Sequence, residues 1–135
     1  MKIATLDFDI YSSKGIEMSH RVPRPTWERI EAAVRELDRF RHPYVILRLR
    51  EDVMDDEQLE IMGGEGRFWV AASIKGYTQR RLTNPSGSTE EIDVWTSDQG
   101  FADEARFISY DIDEVLRVAR HFAEHADFDP TATWE

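Results

Sequence analysis

The chain has 135 residues, 41% of them hydrophobic and 11% aromatic, which suits one domain, residues 1–135, with a single packed core. Its 27 acidic residues against 17 basic ones give a formal net charge of -10, which disfavours nucleic acid and anionic membranes, since both are bound by Lys and Arg that neutralise phosphate. With no cysteine there is no disulfide framework, no zinc–thiolate site and no thiol nucleophile.

The opening MKIATLDFDIYSS alternates, with Ile3, Thr5, Asp7 and Asp9 on one side and Ala4, Leu6, Phe8 and Ile10 on the other. A period of two predicts a strand with one buried face and leaves no continuous apolar run for a signal peptide. No later segment has the apolar length of a membrane span, so the expected compartment is the cytoplasm. A turn with Ser12, Ser13 and Gly15 follows, and Ile16 to Val22 reads as a short second strand.

PTWERIEAAVRELDRF predicts the first helix, with Thr26 as N-cap and Glu28 in the first turn, where the helix dipole favours an anion. Trp27, Ile30, Val34 and Leu37 make one apolar stripe at helical spacing. PYVILRLRED predicts a strand, then an acidic turn from Glu51 to Glu57. QLEIMGG and RFWVAASIK read as two strands joined through Gly63, Gly64 and Gly66. The glycines lack the lysine of a phosphate-binding loop, open a β-branched and aromatic run instead of a helix, and place Glu65 among them; a hairpin turn explains them better.

YTQRRLTNPSGS extends or leaves that sheet, with a turn at Asn84-Pro85-Ser86-Gly87. EEIDVWTS alternates as a strand, and ARFISY reads as a short one. Asp111 followed by Glu114 resembles a capping box, and Ile112, Val115, Leu116, Ala119, Phe122 and Ala123 give the second helix its apolar face until about His125. The sum is an α+β fold: an antiparallel sheet of six or seven strands with two helices packed on it.

The same helix carries HFAEH, which matches the HxxEH spacing of inverted zinc proteases, with His121 and His125 as ligands and Glu124 to polarise water. Its place beside the apolar face, in a last turn where histidine is favoured anyway, argues for a helix end over a metal centre. No metal or other cofactor is therefore expected, and no catalytic residue is assigned. A small metal-dependent hydrolase is the enzymatic alternative, and an acidic adaptor a third.

A binding role fits the charge better. Acidic residues gather at Glu51 to Glu60, at Glu90 to Asp93 and at Asp98 to Glu104, with Trp69, Trp95 and Phe101 nearby in sequence. Carboxylates around aromatic anchors suit capture of a basic protein surface. Trp69 and Trp95 can equally be core residues. The residues expected to touch the partner are Asp52, Asp55, Asp56 and Glu57, then Glu90, Glu91, Asp93 and Trp95.

In order, TWERIEAAVRELDRF, YVILRLR, IMGGEGRFWVAA, the Asn-Pro turn before EEIDVW, DIDEVLRVARHFAEH and the closing TATWE resemble the Imm1 family of bacterial immunity proteins, over roughly Val22 to Glu135. That resemblance implies an α+β fold and a non-enzymatic inhibitor that occludes a cognate toxin, commonly a deaminase or another toxin that attacks nucleic acid. The implied partner is basic, and Gly63, Gly64 and Trp134 would be framework positions.

Overall fold

A computed structural model describes residues 1–52, 54–74, 79–96 and 100–135. The predicted strand residues Lys75, Tyr77, Thr78 and Ser97, and Asp98 of the third acidic stretch, lie outside these. Six strands form one antiparallel sheet: β1 (Thr5–Ser12), β2 (Gly15–Pro23), β3 (Tyr44–Arg48), β4 (Gln58–Gly64), β5 (Arg67–Ser73) and β6 (Arg80–Arg81), in the order β2-β1-β3-β4-β5-β6. A separate two-stranded sheet pairs β7 (Glu91–Trp95) with β8 (Phe101–Glu104). Helices α1 (Trp27–Arg35) and α2 (Ile112–His125) complete the α+β fold. Among the described residues no helix is long and apolar enough to cross a membrane.

Alternation along the strands decides which face each side chain takes. In β3, Val45 and Leu47 are buried while Tyr44, Ile46 and Arg48 on the other face stay partly exposed. Leu6, Phe8, Val45, Leu47, Leu59, Ile61 and Val70 pack with Ile30 and Val34 of α1 and Val115, Ala119 and Phe122 of α2. Each of the Leu, Ile, Val and Phe side chains among them contributes on the order of 1.5–3 kcal/mol by leaving water. Strand β5 is buried on both sides. Phe68, Val70 and Ala72 meet the helices, while Trp69 and Ala71 join Val94, Phe107 and Ile108 under the β7–β8 hairpin. That double burial explains why RFWVAAS reads as a continuous apolar run.

Thr26 caps α1 as expected, its hydroxyl accepting from the Arg29 amide at 3.1 Å. The helix stops earlier than the apolar stripe suggests, at Arg35. The carboxylate of Asp38 accepts from the amides of Phe40 at 3.1 Å and His42 at 2.7 Å, so a side chain takes over the backbone donors and bends the chain away. Asp111 caps α2 by accepting from the Asp113 amide at 2.9 Å. Glu114 does not close a reciprocal box; it accepts from the Ser109 hydroxyl at 2.8 Å. ARFISY is not a strand: Ala105–Phe107 is a 3-10 turn, and only Ser109 pairs with the sheet, through Phe68.

The glycine hairpin is tighter than a simple turn. Glu65 and Gly66, at φ 54° and 85°, make the two-residue loop. Gly63 and Gly64 belong to β4, and a Cβ on Gly64 would collide with the backbone of Leu37 and Asp38 where α1 leaves its last turn. At the far edge the last residues extend the sheet. Arg81 and Glu135 exchange backbone bonds of 2.8 and 2.9 Å, and the Trp134 indole donates to the Asp129 carbonyl at 3.0 Å.

Candidate partner-binding surface

The loop between β3 and β4 carries the first group of expected contact residues. Its geometry is held by its own acids: Asp52 accepts from the Met54 amide and Asp55 from the Glu57 amide, both at 2.9 Å. Arg50, one residue before the acidic stretch, pairs with Asp55 at 2.8 Å and Glu57 at 3.0 Å. Asp55 and Glu57 are thus partly neutralised. Asp52 and Asp56 are exposed and have no ion-pair partner among the described residues.

The second group lies on β7. Glu90, Glu91 and Asp93 are exposed, and the hairpin is tied down through backbone: Arg39 and Arg67 donate to the Asp93 carbonyl at 3.2 and 3.0 Å, and Arg39 to the Val94 carbonyl at 3.2 Å. Trp95 is half-buried, edge-on to Tyr11 and Tyr44 with ring centroids at 5.3 and 5.2 Å. Trp69, by contrast, is a core residue. It is 5% exposed, its indole donates to Asp103 at 2.8 Å, and Phe101 packs on it at 5.0 Å.

The two groups do not form one patch. The acidic loop follows Arg48 at one end of β3, and Trp95 packs on Tyr44 at the other. Four strand rises separate these ends, roughly 13 Å. Between them lies the sheet face opposite the helices, where Asp7, Asp9, Tyr44, Ile46, Arg48, Gln58 and Glu60 are partly exposed. Sequence reasoning did not single out this face. Its signal was present, since the first strand already set Asp7 and Asp9 on one side.

Polar side chains join in a row across that face. Asp7 accepts from Arg21 at 2.8 Å and from Arg48 at 2.7 Å, Arg48 donates to Gln58 at 2.8 Å, and Gln58 donates to Glu60. Burial opposes ionisation of Asp7, but hydrogen bonds from Arg21 and Arg48, with their charges, outweigh it and hold its pKa below the usual value. Glu60 goes the other way: burial raises its pKa, and the Gln58 hydrogen bond and Arg48 charge only partly offset that. Tyr44 donates to Asp9 and also bonds Tyr11; burial first, then these partners, keep its phenol protonated.

The HFAEH segment forms the last turn of α2. The rings of His121 and His125 are 4.6 Å apart, with His125 exposed. Glu124 is exposed and accepts from Arg120 at 2.8 Å, a bond that lowers its pKa. Among the described residues no group of three or more His, Cys, Asp or Glu is arranged to hold a metal ion.

No known protein family matches the sequence, and none of the curated proteins does. The fold is shared with a solved structure described as a hypothetical protein from Neisseria gonorrhoeae. The TM-score is 0.61 at 12% sequence identity, over 96% of this chain and 94% of that one. At that identity the likeness shows the fold alone.

Proposed function

We propose that the protein is a cytoplasmic immunity protein of the Imm1 type, a non-enzymatic inhibitor that binds a basic toxin acting on nucleic acid, most simply a deaminase, and covers its substrate channel. The observation that carries this reading is the arrangement of charge. Exposed Asp52 and Asp56 at one end of the bare sheet face, and Glu90, Glu91 and Asp93 with Trp95 at the other, frame a surface able to imitate a polyanion. A net charge of -10 steers a cationic partner toward it and repels the nucleic acid that the partner would otherwise bind. The succession of short motifs from TWERIEAAVRELDRF to TATWE, which resembles the Imm1 family, is the second ground for this reading.

Co-expression with the polypeptide encoded by the neighbouring reading frame tests this. The expected outcome is restored growth and a co-purifying one-to-one complex. Continued toxicity with both proteins folded and expressed contradicts the proposal. Reversing Asp52, Asp56, Glu91 and Asp93 together to lysine should slow association by about tenfold or more at low salt, as measured by stopped-flow fluorescence, because long-range attraction sets the on-rate of charged pairs.

A further inference from the structure

Midway along the bare face, Asp7, Asp9, Ser19, Arg21, Tyr44 and Arg48 line a hollow of about 280 Å³. That volume falls below the roughly 300–1,000 Å³ of sites for drug-sized ligands and suits a single long side chain. Its two carboxylates differ. Asp7 is engaged by two guanidinium groups, from Arg21 and Arg48. Asp9, two residues along the same strand face, has no ion-pair partner among the described residues and accepts only from the neutral Tyr44 hydroxyl. A carboxylate has two oxygens and about four acceptor directions, so Asp9 retains capacity for a forked donor. The partly exposed Tyr44 ring, in T-shaped contact with Tyr11 and Trp95, also lines the hollow, and aromatic rings are partners for guanidinium groups.

Resting on the immunity reading above, we infer that this hollow receives an arginine side chain of the basic partner, paired with Asp9 and lying against Tyr44. The acidic loop and β7 then act as flanks that steer the partner, and the hollow supplies the central anchor. This division agrees with interfaces in which rim charges govern on-rate and a central desolvated contact governs off-rate.

The test uses the full chain, a short capped arginine–glycine peptide and its lysine–glycine counterpart, followed by amide NMR shifts. The expected result is saturable shifts at Asp9, Ser19, Tyr44 and Ile46 with the arginine peptide, reduced at least threefold in affinity with lysine. Shifts confined to the loop 49–57 and β7, or equal affinity for both peptides, overturn the inference. The variants Asp9→Asn, which removes the charge, and Tyr44→Leu, which removes the aromatic face, are then compared against the toxin. At least tenfold faster dissociation with little change in association rate supports the anchor. Unchanged dissociation while the wild type still neutralises the toxin overturns the anchor and leaves the immunity reading intact. Peptide binding in the hollow without any neutralisation overturns the immunity reading instead.

Discussion

Asp7 and Glu60 share one sheet face, and their environments push them in opposite directions. The Asp7 pKa is lowered, so the stability it contributes is present above the unfolded carboxylate value and is lost as pH falls through the folded one. The Glu60 pKa is raised, so its ionised form is the less favourable one in the folded protein, and stability is lost as pH rises through the folded pKa. Glu60→Gln should therefore melt above wild type at neutral pH, with the gap closing below about pH 4, where the glutamate is protonated anyway. Thermal scans across that range check it; a lower melting temperature for the variant at neutral pH would show that the carboxylate is worth more ionised than buried. Gly64 belongs to the same scale. At φ 130°, and against the backbone of Leu37 and Asp38, it has no room for a side chain. Gly64→Ala should cost about 3 kcal/mol or more in denaturant unfolding, combining a strained backbone with a collision that only movement of the α1 exit relieves.

At the scale of elements, local signals and distant contacts divide what was legible. Helix α2 is written in its own sequence: a capping aspartate, six apolar positions at helical spacing and a histidine in its last turn. The alternation of β1 and the doubled glycines before β5 are equally local. Strand β8 is not, because FADE looks like an acidic loop until Asp103 is seen turned inward to accept from Trp69 and Arg81, 34 and 22 residues away. The early end of α1 was hidden in the same way, since the Asp38 turn competes with a helix that the stripe would otherwise continue. The candidate surface was half legible. Its flanking acids could be named from clustering alone, but the neutralising role of Arg50 and the bare face between them depend on which strands lie side by side. One cap leaves a direct prediction. Ala126 ends α2 in the left-handed conformation, at φ 54°, where glycine carries no steric penalty. Ala126→Gly should stabilise the protein by about 0.5 kcal/mol, the relief of local strain outweighing the added freedom of the unfolded chain. Denaturant melts that show a loss would reverse that balance.

For the whole molecule, the division of the strands matters more than their number. Helices cover one face of the six-stranded sheet, the β7–β8 hairpin covers the β5 side of the other, and the remainder is framed by acids at both ends. A charge of -10 destabilises the compact chain slightly through self-repulsion, and under the proposed function it would steer a basic partner before contact. The most direct measurement of that role is the association rate of the purified protein with the toxin proposed above as its partner, at about 10 mM and about 0.5 M salt, where the screening length falls from about 30 Å to a few ångströms. The predicted result is at least a tenfold slower association at high salt, reproduced at low salt by reversing Asp52, Asp56, Glu91 and Asp93. Equal rates at both salt concentrations, or no association at either, would contradict it.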